Sequence, residues 1–166
     1  MQVIITDGGR KAAGFKGASG DCVARSIAIV TGLPYREVYD RLAAGNAAQR
    51  VSRRTGRKPT SASDGISVKR KWCQDYMREL GFVWTPTMAI GSGCKVHLRA
   101  GELPMGRLVV STSKHWTAVI DGVIFDTHDP SRGGTRCVYG YFTLTGASNE
   151  KTRPQHSKNR TEQNLP

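Results

Sequence analysis

The segment HWTAVIDGVIFDTH, residues 115 to 128, restricts the fold more than any other stretch of the chain. Two runs of β-branched and aromatic residues flank Asp121-Gly122, a pair suited to a two-residue type I′ turn because both positions accept positive φ. So short a loop fixes the register: Ile120 faces Val123, Thr117 faces Asp126 and His115 faces His128. Side chains alternate between the faces of a strand, so His115 and Thr117 share a face with Ile124, Asp126 and His128, while Trp116 turns to the opposite face and into the core.

The rest of the chain sorts itself around this hairpin. After Gly81, FVWT, RLVVST and CVYGYFTL are short, apolar and bounded by Gly or Pro, which reads as strands. Before Gly81, apart from a short strand QVIIT turned by DGG, the apolar spacing is helical. Cys22 to Val30 forms one helix, with Asp21 as N-cap and Gly32 as stop. LPYREVYDRLAA forms a second, with Pro34 in its first turn and Tyr35, Val38, Tyr39 and Leu42 in one stripe. Val68, Trp72, Tyr76 and Leu80, with Cys73 and Met77 beside them, predict a third that Gly81 ends. Helices first and an antiparallel sheet second make an α+β chain.

A length of 166 residues suffices for one domain with a real core and not for two ordinary ones. That domain is expected over 1–147, interrupted by a basic loop at about 49–66, and the apolar-poor stretch 148–166 is expected to be a disordered tail. No apolar run approaches the ~20 residues of a bilayer span, so no membrane partner is expected. MQVIITDGGRK has no basic start followed by an apolar stretch, which makes the cytoplasm the expected compartment.

The first helix carries the feature with most chemical content. In SGDCVARSIAIVTG a cysteine, Cys22, occupies the first turn, where backbone N–H groups and the helix dipole favour an anion and lower a thiol's pKa. A stabilised thiolate is a nucleophile, and it needs an imidazole and a third group to orient that imidazole. The hairpin supplies both: Asp126 is the diagonal neighbour of His115 on one face. Cys22, His115 and Asp126 therefore form a candidate catalytic relay, provided the sheet meets the N-terminus of the first helix. Gly20, Asp21, Ser19 and Lys16 are candidates to line the site or hold an oxyanion, and His128 to line it from the strand end.

Each of these residues also has a plainer reading. Cys22 alone would be a small core residue, His115 a satisfied strand histidine and His128 an exposed one. Asp129 competes with Asp126, but it lies on the other face and precedes Pro130, where it would cap a turn. Cys22, His115, Asp126 and His128 are all metal-ligand types, yet they lack a recognisable spacing, so neither a metal nor any other cofactor is expected. Cys73, Cys94 and Cys137 show no CxxC pairing, read as structural, and in a cytoplasmic chain of this size are not expected to build a disulfide framework.

Charge supplies the competing functional reading. The chain has 25 Lys and Arg against 13 Asp and Glu, a net +12, which attracts polyanions of any kind. The excess is concentrated between Gln49 and Lys71, where Arg50, Arg53, Arg54, Arg57, Lys58, Lys69, Arg70 and Lys71 stand against the single acid Asp64. Such a run is a candidate surface for nucleic acid or an acidic protein, or simply a solvated loop, and no recognised nucleic-acid-binding motif accompanies it.

GDCVARSIA followed late in the chain by KHWTAVIDGVIFDTHDPS resembles the papain-like cysteine peptidases, in which the nucleophile opens a central helix and His and Asp or Asn follow on neighbouring antiparallel strands. Bacteriocin-leader peptidases and Josephin-type deubiquitinases show the same order of elements, and the stretch from Gly20 to Phe142 is similar to uncharacterised proteins of tailed phages and their bacterial hosts. The resemblance implies a thiol hydrolase cleaving an amide or isopeptide bond in a protein or peptide substrate, in the host cytoplasm if the chain is phage-encoded. One departure is informative. Papain-like enzymes usually carry a Gln shortly before the nucleophile as oxyanion donor, whereas GFKGASGDC has none, so Lys16, Ser19 or backbone N–H groups would have to serve.

Overall fold

The computed structural model describes residues 1–17, 19–49 and 61–145. Three helices and six strands alternate as β1 (Gln2–Ile5), α1 (Cys22–Thr31), α2 (Tyr35–Ala47), a 3₁₀ turn (Ala62–Asp64), α3 (Lys71–Glu79), β2 (Phe82–Pro86), β3 (Arg107–Thr112), β4 (His115–Ile120), β5 (Val123–Asp126) and β6 (Val138–Leu144). The strands form one sheet in the order β1-β5-β4-β3-β6-β2. The chain is α+β, but its sheet is mixed rather than antiparallel. β1, the N-terminal strand, lies parallel to β5, with Gln2 opposite Val123 and Ile5 opposite Asp126. It covers the edge that the hairpin would otherwise leave unpaired.

The hairpin has the register its turn dictates: Ile120 pairs with Val123 and Ala118 with Phe125. Asp121 and Gly122 both take positive φ, 47° and 77°. Period-two alternation then divides the sheet between two cores. Val109, Trp116, Ala118 and Phe142 face Ile27, Val38, Leu42 and Met77 of the helices. Leu108, Val110, Val119 and Ile124 pack on the other face beneath Leu98 and its neighbours.

The helix ends show which local signals operate. Gly32 closes α1 in the left-handed conformation, donating its N–H to Ala28 O at 2.8 Å, and the Arg107 guanidinium adds bonds to the Ile29 and Val30 carbonyls. Pro34 sits one residue before α2, as its N-cap. α3 begins at Lys71, so Val68 precedes the helix and packs against the core from the connecting segment. Gly45 on α2 has no side chain because the Trp72 ring occupies the space a Cβ would fill. Among the described residues no helix is long and apolar enough to cross a membrane. The expected basic loop and the 148–166 tail fall largely or wholly outside the described residues.

One expectation about the cysteines is overturned: Cys94 and Cys137 form a disulfide, their Cα atoms 5.8 Å apart across a sequence separation of 43. The segment before Cys94 folds back along the start of β6. Thr87 donates its N–H to Tyr139 O and its hydroxyl to Val138 O, while Val138 donates its N–H to Val96 O. These long-range contacts bring the two sulfurs together, and neither sequence spacing nor motif reports them.

Candidate functional site

Cys22 is the first residue of α1 and His115 the first of β4, and α1 packs along β4. The thiol and the imidazole line the same cleft there, and each favours the charged form of the other. His115 Nε2 lies 2.7 Å from Asp126 Oδ2, which leaves Nδ1 as the ring nitrogen available to the sulfur. Asp126 is 5% exposed, and its second oxygen accepts the Thr127 backbone N–H at 2.7 Å. A thiol, an imidazole and a carboxylate thus come together here, the imidazole bonded to the buried carboxylate.

The electrostatics follow from this arrangement. Burial pushes the Cys22 thiol up, but the hydrogen bond with His115, the backbone N–H of Trp116 and the nearby charges of His115 and Arg25 outweigh it, leaving the thiol below its ordinary range. Burial pushes His115 down, and the bonds to Asp126 and Cys22 with their two charges reverse this and raise the imidazole to about 9. Burial pushes Asp126 up, and the His115 bond, the Thr117 hydroxyl and the His115 charge bring its carboxyl below the usual range. All three displacements favour the charged forms: thiolate, imidazolium and carboxylate.

Asp21 does something other than expected. Its side chain makes no cap bond to α1. It is fully buried and accepts from Arg10 Nε at 3.0 Å and from the Tyr35 hydroxyl, with Arg25 at 3.1 Å. An acceptor turned toward two guanidiniums neither lines the cleft nor stabilises an oxyanion, so Asp21 is an anchor for the helix start. Arg10 extends that anchor to the preceding loop, donating to Gly17 O at 2.8 Å and Lys16 O at 3.0 Å. Breaking a buried pair of this kind typically costs about 3–5 kcal/mol. The sequence hinted at only one part of it, the i,i+4 spacing of Asp21 and Arg25.

The other candidates divide. Lys16, Ser19 and Gly20 line a cleft of about 760 Å³ that opens on Cys22 and His115. The Ser19 hydroxyl is engaged with Ser63 Oγ at 2.7 Å, while Lys16 is exposed. Gly20 faces the Ser63 carbonyl so closely that a Cβ would come within 3.1 Å of it. His128 lines the cleft, its ring centroid 5.2 Å from that of His115, and its side chain is 61% exposed. Asp129 accepts the Ser131 N–H at 2.8 Å and makes no bond to His115. Cys22 is in the first turn of α1, where backbone N–H groups lack intrahelical acceptors, as in any helix.

Sequence reasoning passed over two contributors. The Trp116 backbone N–H favours the Cys22 thiolate, which no side-chain pattern could reveal. Lys114, exposed and held at φ 57° in the β3–β4 turn, lines the cleft directly beside His115. Of the basic run, Arg50, Arg53, Arg54, Arg57 and Lys58 lie outside the described residues. Lys69 and Arg70 are exposed, and Lys71 is paired with Asp75 at 2.7 Å. Among the described residues no group of His, Cys, Asp and Glu side chains is arranged to hold a metal ion. No protein-family model, curated protein or solved structure matches the chain.

Proposed function

We propose that this chain is a thiol hydrolase of papain-like architecture, acting on amide or isopeptide bonds of a protein substrate. The observation that carries the reading is that Cys22 and His115 line one cleft while His115 Nε2 lies 2.7 Å from the Asp126 carboxylate. A lone buried cysteine would have its thiol raised, as happens to Cys73, pushed up by burial to about 12. Cys22 moves the other way because the imidazole and the Trp116 N–H stabilise its anion.

In the reaction, the Cys22 thiolate attacks the carbonyl carbon and the π electrons move to oxygen. The oxyanion is held by backbone N–H groups at the start of α1, with Lys16 at the cleft wall, since the chain lacks the glutamine of its papain-like counterparts. The His115 imidazolium gives its proton to the departing amine as the C–N bond breaks, leaving a thioester. His115, now neutral, accepts a proton from water as it attacks the thioester; the C–S bond then breaks, the acid product leaves, and the Cys22 thiolate and His115 imidazolium are restored. Asp126 keeps the ring oriented and stabilises its charged form throughout.

The test is the alkylation rate of Cys22 by iodoacetamide from about pH 4 to about pH 9, read by mass spectrometry in wild type and His115→Ala. The expected result is a Cys22 that reacts at acidic pH only while His115 is present. An ordinary thiol titrating near ~8.5 in both proteins would refute the reading.

A further inference from the structure

The cleft does not stop at the sulfur. The part that holds Cys22 and His115 is cationic: Lys11, Lys16 and Lys114 line it and are exposed. Arg10 and Arg25 are there as well, paired with Asp21, and Asp7 is held in a turn by the N–H groups of Gly9 and Lys11. A smaller recess of about 360 Å³, lined by Cys22, His115 and Lys114 as well, shares Val68, Lys69, Ser111, Trp116 and Tyr139 with a third cavity of about 900 Å³. That cavity is walled by Trp84, Met88, Ile90, Tyr139 and Phe142.

Its apolar wall is built and unsatisfied. The Trp84 and Trp116 rings pack tilted against Phe142 with centroids 4.6 and 5.4 Å away. Trp84, Met88 and Tyr139 remain 36–39% exposed and Ile90 fully so. The Cys94–Cys137 disulfide ties the Met88–Ile90 side of this wall to the start of β6. Grouped exposed apolar side chains of this kind mark a binding surface, and this group is continuous with the recess that holds the sulfur.

Resting on the reading of Cys22 as the attacking group, we propose that the substrate is an extended polypeptide lying across the sulfur, with a bulky apolar side chain in the recess of Trp84, Met88 and Tyr139 and an acidic residue against Lys11, Lys16 and Lys114. The bond attacked lies between them. A polypeptide fits as the occupant because it presents a carbonyl to the sulfur between an apolar and an anionic group within one flexible chain.

The experiment uses the full chain carrying Cys22→Ala and fluorescein-labelled peptides read by anisotropy. Each peptide joins a pair of glutamates to a phenylalanine through glycines, in both orders, with matched versions carrying lysines for the glutamates or alanine for the phenylalanine. One order is expected to bind about tenfold more tightly than its lysine version, as a few exposed charge pairs allow. It should lose about tenfold on replacement of the phenylalanine, as burial of an aromatic side chain allows. Lys16→Glu with Lys114→Glu should erase the glutamate preference and spare the phenylalanine preference. Trp84→Ala, or Met88→Ala if the former disturbs the circular dichroism spectrum, should do the reverse.

Peptides that bind without either preference, or a dT oligonucleotide that binds more tightly than both orders, would overturn the proposal. The two readings fail separately. An ordinary Cys22 thiol beside peptides that bind with both preferences removes the hydrolase and keeps the ligand class. A hyper-reactive Cys22 beside peptides that bind without preference removes the ligand class alone.

Discussion

Replacing Asp126 by Asn isolates the carboxylate's charge while keeping its shape and one acceptor oxygen. In the intact chain His115 is raised to about 9 from an ordinary 6.5, against a burial effect that alone would lower it. That displacement corresponds to on the order of 3 kcal/mol, divided between Asp126 and Cys22. A carboxylate at hydrogen-bond distance commonly supplies about 1–3 pH units of such an effect. The sign then follows for both partners. The imidazolium exists below about 9 and the thiolate above its lowered pKa, so their pair occupies the interval between. Without the carboxylate the imidazole deprotonates at lower pH, and the thiol, losing its cation, ionises at higher pH. The interval closes from both ends.

The readout is alkylation of Cys22 across pH, resolved by peptide mass spectrometry. Cys73 serves as internal reference because it is fully buried with its thiol pushed up to about 12, and Cys94 and Cys137 are joined. In wild type the rate should rise first as the thiol ionises and again near pH 9 as the imidazolium loses its proton. In Asp126→Asn the first step should move up and the second down by about one pH unit each, and alkylation below the first step should slow about tenfold. Superimposable profiles would mean that Asp126 does not set the charge of His115, and the relay would reduce to a Cys–His contact.

Two further perturbations test the scaffold. Gly45→Ala would ordinarily stabilise a helix interior by about 1 kcal/mol, but here the added methyl meets the Trp72 ring. A net loss of about 1–3 kcal/mol is expected, visible as a lower Tm, and a raised Tm would show that α2 and α3 are not packed through that ring. Cys94→Ser with Cys137→Ser opens a loop with a sequence separation of 43, worth up to about 4 kcal/mol in chain entropy. Its Tm should fall while Cys22 alkylation stays unchanged, and a slower Cys22 would mean that the disulfide supports the reactive site rather than the apolar wall alone.

What could be read from the sequence was whatever two or three neighbouring residues decide between themselves. Asp121-Gly122 fixes the turn, the turn fixes the register, and the register puts Asp126 beside His115, all within the 14 residues of one hairpin. Gly32 ends α1 for an equally local reason. The features that escaped depend on contacts between distant segments. β1 reads as a strand, but its parallel pairing with β5 is chosen by the free edge of a hairpin far along the chain. The Cys94–Cys137 bond needs the fold-back of Thr87 onto β6. Arg10 reads as one cation among many, because its role requires the loop it binds and the buried Asp21 to be in place first.

The anchor around Asp21 also bears on why a thiolate would form at this helix at all. A carboxylate next to Cys22 in sequence would, alone, oppose a negative sulfur. Asp21 is instead turned inward and held by two guanidiniums, Arg10 and Arg25, so this pocket of three charges carries a net positive balance beside the helix start. Arg25 acts on the sulfur in the favourable direction, as does the positive end of the α1 dipole. His115 adds a third cation, and Asp126 is bonded to its Nε2. Each carboxylate is thus paired with a cation that favours the Cys22 thiolate. This ordering of charge, rather than the presence of a cysteine near a histidine, separates the arrangement from a buried structural thiol such as Cys73.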